Sequence, residues 1–402
     1  MYRKDIIIDE LKRTSGIFKD ESKLSIDYVP FYLPHREKEL RFLARLFHTV
    51  IRFPGKISKN VIITGSVGVG KTAVSKLFGN RLQNYASNIG INLRYIHVNC
   101  RLARKEYMIL KTILKELLPS LPDRGLSTNE LYEVMLDVLE KENLFLITAL
   151  DEVDYTIRLQ GPDLIYRLTR LNDTKLNPIE RLSLILIVRD VSVHLFLDKS
   201  TSSTLQHNII NLKPYSANQL YDILKMRVKD AFFDGVVKGE TIKLISDLAS
   251  SKGDARYAID LLWRAGKYAE LECSEIITPE HVRKAQSDIC PNIAYDDIYM
   301  LPLQQKLILF AIAKFLRNKK RAYITTGELK REYKLICEEF EIQPVKHTQL
   351  WKYVNELTEL GYIRSKRSGS GYRGKTTLIS LEDVPAETIE KILLSSLREG
   401  SL

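Results

Sequence analysis

The chain has 402 residues, 45% of them hydrophobic, which is enough apolar material for two or three ordinary globular domains and too much for a disordered chain. Sixty-one Lys and Arg against 50 Asp and Glu leave a net charge of +11, which favours a polyanionic partner. No apolar run nears the roughly 20 residues that span a bilayer, and MYRKDIIIDELKR mixes charge through its one apolar triplet, so neither a membrane span nor a signal peptide is expected and a cytoplasmic, nucleoid-associated protein is.

In chain order, residues 1–27 are polar and weakly patterned and read as a loosely held arm. A helix is predicted over Leu33–Phe53 from the apolar face Leu40, Leu43, Leu46 and Phe47. Val61–Thr64 reads as a short buried strand, followed by a glycine-rich turn and a helix over Lys71–Leu82. Leu93–Val98 is a second strand and Lys105–Leu118 an amphipathic helix. Two further apolar runs follow, Leu144–Leu150, which ends in Asp-Glu, and Leu182–Val188. Strands alternating with helices predict an α/β domain whose parallel sheet is covered on both faces.

Past Pro214 the strands stop, and Ala217–Val228, Glu240–Ser250, Ala255–Leu271 and Pro279–Ser287 all read as helices. Pro291–Asp297 looks like a linker. Helices over Pro302–Leu316, Thr326–Phe340 and His347–Leu360 come next, then strand-like Tyr362–Lys366 and Thr376–Ser380 around a Gly/Ser/Arg tip. Three helices and a basic hairpin are the winged-helix plan. The expected domains are therefore 28–215, 216–289 and 294–402. Cys100, Cys273, Cys290 and Cys337 lie far apart, without metal-ligand or disulfide spacing, and read as buried or incidental thiols.

Gly65-Ser66-Val67-Gly68-Val69-Gly70-Lys71-Thr72 matches G-x-x-x-x-G-K-[ST] throughout, between a strand and a helix that Ala73 continues. Glycines let successive N–H groups converge on phosphate oxygens at the positive end of the helix. Lys71 is expected on the β- and γ-phosphates of ATP or ADP, and Thr72 on Mg²⁺. Asp151-Glu152, delivered by a buried strand, supply the acidic partner, with Asp151 on Mg²⁺ and Glu152 orienting or deprotonating water. Asp154 is expected to be a solvated loop carboxylate.

Together these segments resemble the archaeal initiators related to origin recognition complex subunit one and cell division cycle protein six, which are AAA+ ATPases. The resemblance runs from about Tyr32 to about Leu381. Tyr32-Leu33-Pro34-His35-Arg36-Glu37 looks like the family's motif beside the adenine, and Val98-Asn99-Cys100 like the end of its second strand. Gly161–Arg170 resembles the extra helix that marks initiators within the AAA+ class. Leu212–Tyr215 with Gln219–Arg227 looks like the start of the lid, where Tyr215 and Arg227 would help enclose the nucleotide. Gly253-Asp254-Ala255-Arg256 resembles the sensor two motif, which would aim Arg256 at the γ-phosphate. A packed core tyrosine and two solvated arginines are the plainer alternatives.

Two departures bear on hydrolysis. Where the family places a polar sensor the chain has Arg189-Asp190, and Arg189 either supplies a new cation over the phosphates or pairs with Asp190. In Leu197–Ser203 the usual trans-acting arginine is missing. Slow turnover is therefore expected.

At the C-terminal end, His347–Leu360 is the expected recognition helix, offering Gln349 and Lys352 to the major groove, with Lys346, His347, Thr348 and Tyr353 nearby. From Gly361 to Lys375 the chain holds Arg364, Lys366, Arg367, Arg373 and Lys375 and no acidic residue, as expected of a phosphate-following wing. Tyr372 in the tip is placed to pack on a sugar. Arg158, Arg167 and Arg170 beside the initiator-type helix are, by the resemblance, a second DNA contact. The expected function is an ATP-binding initiator that grips duplex origin DNA, alone or beside paralogous initiators, and recruits the replicative helicase. Its rivals are a regulator at origins or promoters that loads no helicase, and a P-loop signalling or defence ATPase whose winged helix docks protein.

Overall fold

The structure, a computed structural model, describes residues 16–171, 179–189, 208–289, 298–368, 376–382 and 384–399. The chain separates into two compact units. One holds Asp27–Gln219 and Lys252–Arg256; the other holds the described residues up to Ile26, Leu220–Ser251 and those from Tyr257 onward.

The first unit is built on a five-stranded parallel sheet: β1 (Asn60–Thr64), β2 (Leu93–Asn99), β3 (Phe145–Asp151), β4 (Leu182–Ile187) and β5 (Ile209–Asn211), in the order β2-β3-β4-β1-β5. β1, β3 and β4 are buried throughout, which is why they read as continuous apolar runs rather than alternations. Successive side chains still go to opposite faces. Leu146, Leu150, Leu184 and Leu186 pack on one side with helices α4 (Glu106–Leu117), α5 (Thr128–Lys141), α6 (Val153–Gln160) and α7 (Asp163–Thr169). Ile63, Ile147, Ile185 and Ile187 pack on the other with α1 (Glu37–Arg52) and α2 (Lys71–Asn88). A short α3 (Cys100–Ala103) follows β2, capped by Asn99.

Differences from the predicted elements have local causes. Helix α1 starts at Glu37 instead of Leu33, because Pro34 precedes a left-handed His35 (φ 64°) and Arg36 sits outside the first turn. Helix α5 was not predicted, although Ser127 and Glu130 form a full capping box at its start.

In the second unit, α8 (Ala217–Ala231), α9 (Gly239–Ser250), α10 (Ala255–Leu271) and α11 (Pro279–Ile289) make the helical domain. The winged-helix domain contains α12 (Leu303–Lys319), β6 (Ile324–Thr325), α13 (Thr326–Glu339), α14 (His347–Glu359), β7 (Ile363–Arg367), β8 (Thr377–Leu381) and α15 (Ala386–Glu399). Among the described residues, the expected three helices and hairpin thus become the four helices named above and a three-stranded sheet ordered β6-β8-β7. β6 is too short to show any period, and α15 completes the core with Ile389, Leu393 and Leu397. The predicted linker Pro291–Asp297 lies outside the described residues.

The loosely held arm is corrected for residues 16–26. Ile17, Phe18 and Leu24 are buried, and the backbone N–H groups of Lys19 and Asp20 donate to the Ala231 carbonyl at the end of α8. Glu21 accepts from Trp263 Nε1 at 2.6 Å and Lys267 Nζ at 2.8 Å. Phe18 stacks on Phe232, its ring against the bare Cα of Gly266, where an added Cβ would lie 2.5 Å from Cζ. Phe18→Ala is expected to destabilise this unit by about 3 kcal/mol, since the socket cannot collapse onto a glycine. Urea unfolding followed by the fluorescence of Trp263 measures it, and a loss under about 1 kcal/mol would mean that the segment is held only at its polar contacts.

The helical and winged-helix domains are joined by buried polar contacts. Arg283 of α11, 1% exposed, donates to the carbonyls of Arg321 (3.1 Å) and Ala322 (3.2 Å) and to Glu280 (3.0 Å). Glu240 accepts from Ala322 N at 2.8 Å, and Glu280 from Glu387 N at 3.1 Å.

Candidate functional site

The loop between β1 and α2 turns on Gly65, Gly68 and Gly70, with φ of 147°, 76° and 90°. Gly70 ends it in the left-handed conformation as the N-cap of α2, so the first N–H groups of that helix open into the loop. Ser66 and Val67 form its rim and Val69 is buried beneath it. Lys71 Nζ donates to the carbonyls of Gly65 (2.6 Å) and Ser66 (2.7 Å). Burial lowers the Lys71 pKa, and Arg189 and Arg256 add to the effect against the pull of Asp151 and Asp154.

The segment Gly253–Arg256 lies against this loop. Asp254 covers Gly68 so closely that an added Cβ there would come within 1.7 Å of its Oδ1, and Ala255 N donates to the Gly68 carbonyl at 3.1 Å. Arg256 is exposed, and its backbone N donates to Asp254 Oδ1 at 2.8 Å. Sequence reasoning singled out the arginine and passed over Asp254. The signal was the glycine at position 68, which leaves room for a carboxylate.

Asp151 ends β3 opposite Asn99 of β2 and Ile187 of β4. It is 5% exposed, accepts from Thr72 Oγ1 at 2.6 Å and lies 3.3 Å from His97 Nε2. Burial opposes its charge, yet the bonds from His97 and Thr72 hold its pKa below the usual carboxylate value. His97 was missed. Its Nδ1 is 3.4 Å from Tyr95 Oη, which is 2.9 Å from Ser75 Oγ, so a chain of polar groups runs from α2 to Asp151 beneath the loop. Glu152 is left-handed (φ 53°) at the start of α6, and its carboxylate accepts from Arg189 Nη2. Arg189 therefore has Glu152 as a partner, while Asp190 lies outside the described residues, as does Leu197–Ser203. The expectation for Asp154 is corrected: facing the core at the first turn of α6, it is 6% exposed, and its Oδ1 has no hydrogen-bond partner.

Arg36 closes the other side. Buried to 3% exposure, it donates from Nη2 to the carbonyls of Val69 and Lys213 and from Nε to Tyr215 Oη, each at 2.9 Å, with its guanidinium 4.0 Å from the Tyr215 ring centre. Tyr215 is thus a packed tyrosine beside the phosphate loop, and a Cβ on Gly70 would lie 3.1 Å from its hydroxyl. Arg227 is buried in α8 and donates to the Lys23 carbonyl at 2.9 Å.

On α14, Leu350, Val354 and Leu357 face the core, leaving Lys346, His347, Thr348 and Lys352 exposed and Gln349 half-buried. Lys352 is 3.8 Å from Glu356. Arg367, at the end of β7, is exposed. Arg364 and Lys366 correct the expectation of a wing without counter-charge. Arg364 donates to Glu382 (2.6 Å) and the Asp247 carbonyl (2.8 Å), and Lys366 pairs with the Asp247 carboxylate. Their acids lie on α9 and beyond β8, not in the basic segment. Arg373 and Lys375, with Tyr372, lie outside the described residues. Arg158, Arg167 and Arg170 are exposed on α6, α7 and the turn after it; Arg167 donates to Asn129 at 3.1 Å and Arg170 lies over the Tyr166 ring.

Among the described residues no helix is long and apolar enough to cross a membrane, and no group of three or more His, Cys, Asp or Glu could hold a metal ion. Three family models match: an AAA domain over residues 58–194, a Cdc6 AAA+ ATPase-type lid domain over 221–287 and the CDC6 C-terminal winged-helix domain over 296–391. The chain is 38% identical over 385 residues to the ORC1-type DNA replication protein 2 of Saccharolobus solfataricus, covering 94% of this chain and 93% of that one. Its fold is similar to that of Cdc6p from Pyrobaculum aerophilum, with a TM-score of 0.78 and 30% identity over 96% of this chain and 99% of that one. It is also similar to Aeropyrum pernix ORC1 in complex with DNA, with a TM-score of 0.63 and 33% identity over 97% and 100%. Aeropyrum pernix ORC2, solved as ADPNP–ADP complexes, has a TM-score of 0.62 and 25% identity over 96% and 100%.

Proposed function

Because this chain belongs to the archaeal ORC1/Cdc6-type family of replication initiators, we propose that it binds ATP with Mg²⁺, grips duplex origin DNA, and helps to recruit the replicative helicase, with slow hydrolysis as a switch. The observation that carries the reading is the phosphate loop and its acids standing in one chain with an α14 that turns an apolar face inward and a polar one outward.

The nucleotide site fits its ligand. Gly65–Ala73 form the cradle, and Lys71 is held inward by two carbonyls that phosphate oxygens would replace as its partners. The Thr72 hydroxyl and the Asp151 carboxylate, already bonded to each other, are the hard oxygen donors that suit Mg²⁺, which would neutralise phosphate charge there. His97 fixes which way Asp151 points. Glu152 orients the attacking water, Arg256 faces the γ-phosphate, and Tyr215 encloses the nucleotide beside the loop. We assign 28–215 to the ATPase domain, 216–289 to the lid and 294–402 to the winged helix. The DNA complex of the A. pernix relative supports a duplex partner, and its ADPNP–ADP counterpart supports a nucleotide.

On DNA, Arg367, with Arg373 and Lys375 from the tip, follows phosphates, while Gln349 and Lys352 face bases from α14. Arg158, Arg167 and Arg170 add the second contact. Arg364 and Lys366, neutralised by Glu382 and Asp247, contribute less than their charge suggests. A salt titration of binding to origin and random duplexes tests this. Arg367→Ala is expected to lower the salt slope of log affinity by about one and to weaken both duplexes alike, and Gln349→Ala to narrow the gap between them. An unchanged slope for Arg367→Ala and an unchanged gap for Gln349→Ala would favour a protein-docking winged helix.

A further inference from the structure

β4 lies between β1 and β3 in the sheet, and Val188 N still donates to the Ile63 carbonyl at 3.0 Å. The C-terminal end of β4 therefore delivers Arg189 between the phosphate loop, which follows β1, and the acidic pair, which ends β3. There its guanidinium pairs with Glu152, the two side chains 46% and 26% exposed. Glu152 directly follows Asp151, whose carboxylate accepts from Thr72 at the end of the phosphate loop, so the guanidinium lies beside the acids that face that loop. A cation so placed has two anions within its compass: the carboxylate that holds it here, and the terminal phosphate of a bound triphosphate.

We propose that Arg189 is a switch cation that pairs with Glu152 when no γ-phosphate is present and moves to the γ-phosphate when a triphosphate binds, releasing Glu152 to face the attacking water. The proposal rests on the ATP-site reading given above. A half-exposed ion pair is weak enough to be exchanged. A γ-phosphate offers more charge and three acceptor oxygens against one carboxylate, in a geometry that a guanidinium matches. Arginine stays protonated, so the exchange changes its partner and not its charge. Pairing with a guanidinium occupies an acceptor site of the carboxylate, so the ADP and nucleotide-free states hold the catalytic acid less able to orient water. The slow turnover expected from the missing polar sensor then has a structural basis: water meets a fully active Glu152 only while Arg189 is drawn away.

The experiment is an equilibrium titration of the full-length protein, with Mg²⁺, against fluorescent ADP and a fluorescent non-hydrolysable ATP analogue. The variants are Arg189→Ala, Arg189→Gln, Glu152→Gln and the Glu152→Gln/Arg189→Ala double. ADP affinity is expected to stay level across the set. The ATP analogue should bind roughly tenfold or more weakly to both Arg189 variants, as for loss of a charge-assisted bond. It should bind several-fold more tightly to Glu152→Gln, where the competing carboxylate is gone, and that gain should vanish in the double variant. An unchanged preference for triphosphate in both Arg189 variants, or a Glu152→Gln gain that survives in the double variant, would overturn the proposal. Wild-type protein that binds neither nucleotide would instead remove the ATP-site reading and the proposal with it. Binding that is present in the wild type and lost in Lys71→Ala keeps the two failures apart.

Discussion

Lys71→Ala is expected to weaken ATP binding by on the order of a hundredfold while leaving the nucleotide-free fold intact. Two charge-assisted bonds to phosphate oxygens, at about 1.5–3 kcal/mol each, account for a loss of at least that size. The fold should survive because, among the described residues, the ammonium donates to two loop carbonyls, one exposed and one part-buried, which water can take over in its place. Its depressed pKa points the same way, since burial already acts against the charge in the absence of phosphate. Titration with a fluorescent nucleotide, alongside thermal unfolding without nucleotide, measures both parts. Wild-type affinity in a folded variant would remove Lys71 from the phosphate site.

Arg283→Ala is expected to have the largest effect on stability, roughly 3–5 kcal/mol, because it breaks a buried ion pair from one side. The substitution takes the guanidinium from the Glu280 carboxylate, which keeps only its bond from Glu387 N among those described, and from the carbonyls of Arg321 and Ala322, in a largely buried region. Arg283 already buries its Nε without a partner, so the site is costly to build and costly to damage. Chemical denaturation followed by circular dichroism checks this. A loss below about 1 kcal/mol would mean that water enters and replaces the guanidinium.

What could be read from the sequence was what the chain states locally. The phosphate loop and Asp151-Glu152 were legible because their chemistry depends on neighbours within a few residues and on a strand before them. Partners far along the chain were not. Arg36 meets Tyr215 across 179 residues, and Lys366 meets Asp247 across 119, so neither the clamp on the phosphate loop nor the neutralised base of the wing has any local trace. Arg189 carries the same lesson: the adjacent Asp190 was the partner in view, whereas Glu152, 37 residues back, is the one that sheet order brings alongside. β5 and β6, at three and two residues, are too short to carry a period at all.

The docking of Glu21 on Trp263 joins residues 242 positions apart, which ties the first described segment to a helix from the second half of the chain. At about 5–20 residues per second of synthesis, that segment waits tens of seconds for its socket to emerge, while the sheet of the first unit is complete well before. Its apolar residues, Ile17, Phe18 and Leu24, lack their socket through that interval, and closing so long a loop adds an entropic cost to their docking. A segment made early is thus docked late.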